Sequence, residues 1–441
     1  MNPNERGWLK KYLEFRAPVL RGAISLEDIN MSLSGEEFLY NIVQPTGLMY
    51  GHPLRIEDYT HPLAPYWDEK NKIKVLLVEC LLQSGMFIYL RQHGSSADMA
   101  STIPVLVDEL TYFYQQTFFK YKREPKMSRG KERENLYRLE SILDDRTSVP
   151  PSWDSFWTGF FHNILLFLDL VYYTKWAEYK NHLDIRHLIQ QKTNVRMSIL
   201  KLLAAASWAD GQVDKEELKL YNYFLQSAKL DPFQKKEART YMEKPLSLED
   251  LDFQQVDNWI LRKYFLELAI LAIYSNIRTT TTEDSFIHAL SERLKLTKQD
   301  VSHSILSIES FVVENWEEVY YLQQKENYQK VSERFVRRMS IIVRKNHRRI
   351  QRELTESREV MKLLAKSAST ELTPFEKEKV RAQLIDILKT IPAFALFMMP
   401  GSFLTLPILF RILPKQLLFP SSFHNDDWMM QTYNDSNPGH E

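Results

Sequence analysis

The sequence predicts an all-α protein built from several helical bundles. Three observations carry this. Apolar residues recur in long helical runs, such as IKVLLVECLLQSGMFIYL from Ile73 to Leu90. Only 12 of 441 residues are glycine, which leaves few breakers for the turns of a sheet protein. A helical hairpin, SWADGQVDKEELKLYNYFLQSAKL at 207–230, returns 66 residues later as IYSNIRTTTTEDSFIHALSERLKL at 273–296. The copies align without a gap: Ala209 over Ser275, Asp210 over Asn276, Glu217 over Glu283, Leu230 over Leu296. A repeated hairpin implies one compact unit of two related halves.

The totals narrow the function classes. Basic and acidic residues balance at 57 each, so no global nucleic-acid signature exists and no nucleic-acid partner is expected. The lone Cys80 rules out an internal disulfide and Cys-based metal sites. It sits inside VLLVECLL, which predicts a buried, inert thiol. The N-terminal stretch MNPNERGWLKKYLEF carries no apolar core of signal-peptide type, so secretion is not expected.

Residues 1–150 are expected as an N-terminal helical domain. A helix falls at 5–20, an irregular Pro-, Gly- and His-rich loop at 44–67, and a core helix apolar nearly all round at 73–90. After a break at Gly94–Ser96, a further helix is expected over 103–122, followed by a charged loop at 122–132. The stretch TSVPPSW, 147–153, predicts a boundary, with an aromatic buried helix and connector at 151–194. That helix opens with SFWTGFFHNILLFL, 14 uncharged residues that end at Asp169, too short for a span and normal for a core. His162 within it has no second ligand at metal spacing and reads as a hydrogen-bonded core histidine.

The repeat occupies 195–320. A basic helix and lead-in follow at 321–387, an apolar segment at 388–423, and a polar tail at 424–441. The basic helix holds Lys330, Arg334, Arg337, Arg338, Arg344, Lys345, Arg348, Arg349 and Arg352, against apolar positions Val331, Phe335, Met339, Ile342 and Ile350 at helical spacing. One side therefore packs, and the other is either a solvated face or a contact for anionic lipid, where each cation adds about 1 kcal/mol. Ile391–Phe410, IPAFALFMMPGSFLTLPILF, has 20 residues without a charge. That is spanning length, interrupted by Pro392, Pro400 and Pro407; a kinked span, a re-entrant hairpin and broken core helices all fit.

One constellation resembles a metal site. Asp210, Asp214 and Glu217 flank a turn at Gly211, and converging carboxylates suit a divalent cation. Capping is the favoured reading: Gly211 ends one helix left-handed, Asp214 caps the next, and Glu217 stands at N3 of a capping box. The spacing departs from an EF-hand loop. The second copy has lost the acids, with Ile277 over Gly211 and Thr280 over Asp214. No nucleophile elbow, zinc helix, phosphate loop or dinucleotide fingerprint occurs in the sequence, so no catalytic residues and no cofactor are expected beyond a divalent cation as an alternative.

Two family resemblances rest on these residues. LLAAASWADGQVDKEELKLYNYFLQSAKL, with Ala209, Asp210, Gly211, Val213, Asp214 and Glu217, resembles the TerB-like helical domain of stress-response proteins, which implies a compact bundle whose acidic turn is suspected of binding metal. Residues 363–423, with Leu372, Thr373, Glu376, Asp386, Leu388, Pro392, Pro400, Pro407, Pro414, Pro420, Ser421 and Phe423, resemble the LETM family of transmembrane proteins. That resemblance implies a membrane segment and a link to cation/proton exchange. Gly401, Ser402 and Phe403 stand where the family carries an acid, and an intramembrane carboxylate is the natural ion carrier. No ribosome-binding domain follows, so the ribosome is not expected as a partner. The combination is similar to bacterial LETM-related proteins associated with biofilms. The resulting expectation is a non-enzymatic, membrane-associated scaffold in envelope, biofilm or stress physiology, with a membrane lipid or membrane protein as partner through Arg344, Lys345, Arg348, Arg349, Pro392, Pro400 and Pro407. It would sit on the cytoplasmic face of the inner membrane, or in the cytoplasm if the apolar segment is buried. A component of cation homeostasis is the alternative, and a soluble enzyme the second alternative.

Overall fold

A computed structural model describes residues 1–23, 32–51, 61–94, 99–121, 131–148, 156–179, 184–209, 211–213, 215–254, 256–274, 281–315, 325–367, 370–391 and 406–413. The described residues form seventeen α-helices and five short 3-10 turns, with no strand among them. The chain is all-α and divides into two compact units, Met1–Ile273 with Thr280–Thr297, and Tyr274–Thr279 with Lys298–Glu441.

The first unit is built on α3 (Glu69–His93). By length and composition α3 could cross a membrane, yet 89% of its most apolar window is buried inside the protein, the signature of a core helix. Its neighbours are α1 (Trp8–Ala23), α2 (Gly35–Val43), α4 (Met99–Thr117), α5 (Lys131–Arg146) and α6 (Phe156–Tyr179). Both α5 and α6 pack on α3 within one unit, on either side of the stretch 147–153.

Gly85 sets the approach of α6. A Cβ there would lie 2.5 Å from the Tyr173 hydroxyl, so any larger residue would have to displace the buried Tyr173 side chain. Their chain neighbours Ser84 and Thr174 share a hydrogen bond of 2.7 Å. Charges within this core have partners. Lys74 on α3 donates to the Pro3 carbonyl at 2.9 Å and pairs with Asp144 at 2.6 Å. Glu79 accepts from Tyr12, Arg16 and Gln83. Glu140 on α5 accepts from the Gly7 and Leu9 amides at 2.7 and 3.0 Å, placing a carboxylate on the N-terminus of α1, where the helix dipole favours it. Cys80 is buried, and burial pushes its thiol far above the ordinary range, which makes it unreactive.

Next come α7 (Ile185–Ser207), α8 (Lys215–Ser227), α9 (Pro232–Thr240), α10 (Trp259–Tyr274), α11 (Thr281–Arg293) and α12 (Lys298–Asn315). The 66-residue offset recurs in their local geometry. Helices α8 and α11 both have 13 residues, and α9 and α12 begin at Pro232 and Lys298. Lys229 and Lys295, 66 positions apart, have φ of 51° and 53° and are the only non-glycine residues with positive φ among the described ones. A left-handed residue after a helix is usually glycine, because a Cβ is strained there. The same unusual choice at equivalent positions shows two copies of one helix-ending device. Gly211, at φ 85°, follows α7 in the left-handed form expected of it.

The second unit contains α12, α13 (Lys325–Lys345), α14 (His347–Glu356), α15 (Arg358–Ser367), α16 (Pro374–Lys389) and α17 (Leu406–Ile412). Thr373 starts α16 with a capping box closed by Glu376. Of the expected apolar segment, the described ends are packed: Leu388, Ile391, Leu409, Ile412 and Leu413 are all buried. Helix α17 packs on α13 and α16, and Ser340 donates to the Arg411 carbonyl at 3.3 Å. Residues 392–405 lie outside the described residues.

Candidate functional site

A buried charge cluster lies in the first unit, around Asp169. This carboxylate ends the uncharged run of α6 and is fully buried. Arg146, the last residue of α5, grips it with two parallel bonds: Nε to Oδ2 at 2.7 Å and Nη2 to Oδ1 at 3.0 Å. Lys192 on α7 adds a third bond, to Oδ1. Burial alone would raise the Asp169 carboxyl, but Arg146 and Lys192 outweigh it and hold the acid well below the usual carboxylate range. Phe118 lies between the two cations, 4.4 Å from the Arg146 guanidinium carbon and 4.3 Å from the Lys192 nitrogen, where its ring face attracts both.

Arg196 follows Lys192 by one helical turn and brings a third cation. Its one hydrogen bond to a described residue is a long contact of 3.4 Å with the Ala228 carbonyl. Three cations therefore face one carboxylate. The acids nearby are engaged elsewhere: Asp145 with Lys120 and Tyr121, and Asp257 with Lys175 and Gln191. The surplus shows in the titration of the bases. Burial, with repulsion from Arg146 and Arg196, lowers Lys192 to about 7 despite its bond to Asp169. Burial and Arg146 lower Arg196 to about 10.

The two cations open on a cleft of about 190 Å³ between α4, α6 and α7, walled by Phe113, Phe118, Tyr172, Leu188 and Ile189. The Tyr172 side chain is 2% exposed, and its hydroxyl has no hydrogen-bond partner among the described residues. His162 is the core histidine its surroundings predict. Its Nε2 donates to the Arg146 carbonyl at 2.8 Å, and burial lowers it to about 3, so it stays neutral.

A second buried carboxylate marks the other unit. Glu309 on α12 accepts from Arg338 Nε at 3.0 Å and Tyr274 at 3.4 Å. Its Oε2 has no hydrogen-bond partner among the described residues. Burial raises it to about 7, because half-exposed Arg338, with Arg334, compensates only in part.

The residues singled out from sequence fall elsewhere. Glu217 is half-buried on α8, while Asp210 and Asp214 lie outside the described residues. Among the described residues no group of three His, Cys, Asp or Glu is placed to hold a metal. Arg344 and Lys345 end α13, and Arg348 and Arg349 begin α14. All four are exposed, and none has an ion-pair partner among the described residues. Four basic residues of α15 and α16 behave differently: Lys366, Lys377, Lys379 and Arg381 each pair with a glutamate within 2.8 Å, while exposed Arg358 and Lys362 of α15 have no ion pair among the described residues. Pro392 and Pro400 lie outside the described residues, and Pro407 stands in the first turn of α17.

Sequence reasoning passed over Arg146, Lys192 and Arg196. The available signal was Asp169 itself, an acid that interrupts an apolar helix and must find cations once buried. No family model, no curated protein and no solved structure matches this chain.

Proposed function

We propose that this is a non-enzymatic scaffold that attaches peripherally to an anionic lipid surface through the corner between α13 and α14. The observation that carries the reading is the set Arg344, Lys345, Arg348 and Arg349, four exposed cations within six positions with no ion-pair partner among the described residues, whereas Lys366, Lys377, Lys379 and Arg381 of the same unit are paired. The placement of two of them costs stability. Arg348 and Arg349 stand in the first turn of α14, which holds no acid, and positive charge there opposes the helix dipole. Two cations kept against local stability suit an external anion. The resemblance of residues 363–423 to the LETM family supports a membrane setting, and the one to TerB-like domains supports a stress or envelope context.

At about 1 kcal/mol per cation, four contribute about 4 kcal/mol of attachment, roughly a thousandfold in partitioning. The test is co-flotation of full-length protein with vesicles containing phosphatidylglycerol or phosphatidylcholine alone. Binding is expected only to the anionic vesicles. It should vanish at about 1 M salt, where the screening length is roughly 3 Å. The variant with all four residues changed to Gln should lose it at low salt. Equal flotation of variant and parent, or none for either, overturns the reading.

A further inference from the structure

The first unit carries a feature that surface attachment does not use. Three cations share Asp169, and two of them, Lys192 and Arg196, line an open cleft. Arg196 presents five guanidinium donors and makes one long contact. Lys192 has three, and its ammonium is bonded to Asp169 alone among the described carboxylates. The buried Tyr172 hydroxyl adds a further unfilled polar group. The cleft hydroxyls of Thr117 and Thr193 are already spent on the Phe113 and Ile189 carbonyls. What the cleft lacks is therefore an acceptor carrying negative charge.

Size and lining set the rest of the ligand. A dry apolar cavity of about 150 Å³ holds a benzene ring. This one, about 190 Å³, has room for a ring and a small head group, with aromatic walls on one side and cations on the other.

We propose that the cleft between α4, α6 and α7 binds a small organic anion, its carboxylate or phosphate head on Lys192 and Arg196 and its single-ring body among Phe113, Phe118 and Tyr172. The head offsets the surplus charge that Asp169 leaves, and the body replaces water against apolar walls. Aromatic carboxylates and aryl phosphates share this chemistry, and a free phosphate offers only the head.

Calorimetric titration of the full-length protein with benzoate, phenyl phosphate, inorganic phosphate and benzamide tests this. Benzoate or phenyl phosphate should bind saturably. Benzamide, the neutral counterpart, should bind roughly tenfold weaker or not at all, because it leaves the cations unpaired. Inorganic phosphate should be weaker than phenyl phosphate, since it lacks the ring. Arg196→Gln should weaken benzoate roughly tenfold or more. Tyr172→Phe, which removes only an unpartnered hydroxyl, keeps the test informative should the arginine variant not fold, and should weaken benzoate several-fold.

Benzoate affinity should also rise as pH falls from about 8 to about 6, while benzoate itself stays ionised. The groups facing Lys192 are Asp169 on α6, Arg146 at the end of α5 and Arg196 on α7; Lys229, after α8, faces Arg146, Asp169, Asp145 and Arg196. Lys192, lowered to about 7, and Lys229, lowered to about 8, both gain protons across that interval. Asp169, Arg146, Arg196 and His162 do not change charge there. Failure of both organic anions to saturate, equal binding of benzamide, or full affinity in both variants overturns the proposal. Loss of vesicle flotation would leave it standing, since the cleft residues are not those of the basic corner.

Discussion

Asp169 and Glu309 are both buried carboxylates that accept from an arginine, yet their titration moves in opposite directions. Asp169 meets a two-pronged Arg146 that is itself buried, and Lys192 as well. Glu309 meets one prong of Arg338, whose side chain is 42% exposed, and keeps one oxygen without a hydrogen bond. Burial penalises each acid alike. What differs is how much charge is brought into the same low-dielectric space, because a solvated partner is screened and a buried one is not. The first unit over-compensates its acid and is left with surplus positive charge. The second under-compensates its acid and is left with a group poised near neutrality.

The sharpest way to break this contrast is Asp169→Asn. It strands Arg146 and Lys192 without a counter-charge, and removing one partner of a buried pair costs about 3–5 kcal/mol. Denaturant unfolding should show that loss, and adding Lys192→Met should recover part of it by removing one stranded cation. A loss under about 1 kcal/mol would mean that water reaches the cluster and that the surplus is solvated.

Glu309 makes the intermediate test, and its sign is fixed by linkage. Its folded value, about 7, lies above its unfolded value. Between the two, the folded state binds more protons, so stability falls as pH rises through that window. Thermal unfolding followed from about pH 5 to about pH 8 should show a loss on the order of 1–3 kcal/mol in the parent protein. Glu309→Gln should abolish this part of the pH dependence. A parent curve that gains stability over the same interval would show that Arg338 and Arg334 compensate fully.

Much of this architecture is legible in the sequence. The apolar run of α3 announces a core helix, and the 66-residue repeat anticipates the paired lysine helix ends at Lys229 and Lys295. His162 and Cys80 read correctly as inert core groups, because burial without partners at ligand spacing leaves them nothing else to do. The Asp169 cluster was not legible, since its members sit on three helices, with 23 positions separating Asp169 from Arg146 on one side and from Lys192 on the other. Tertiary packing alone brings them together. The cleft is harder still, because volume is set by which side chains fail to fill a gap. The basic corner was the reverse case. Its residues stand in the sequence as a block, but whether they are paired depends on where acids fall in space, and only the structure shows Arg344, Lys345, Arg348 and Arg349 without ion-pair partners among the described residues.

The smallest effect belongs to that corner and separates a structural from a functional role. Arg344 and Lys345 are in the last turn of α13, where positive charge complements the helix dipole; Arg348 and Arg349 are in the first turn of α14, where it opposes the dipole. Each terminal charge contributes about 0.3–1 kcal/mol of either sign at low salt. Arg344→Gln with Lys345→Gln should therefore lower the melting temperature slightly. Arg348→Gln with Arg349→Gln should raise it slightly, and the fourfold variant should sit near the parent protein. All three shifts should shrink at high salt. Residues whose removal stabilises the fold while abolishing attachment to anionic vesicles would be held in place by what they bind. If both pairs prove destabilising by equal amounts, the cations have structural partners, and the contrast with the paired lysines of α15 and α16 fails.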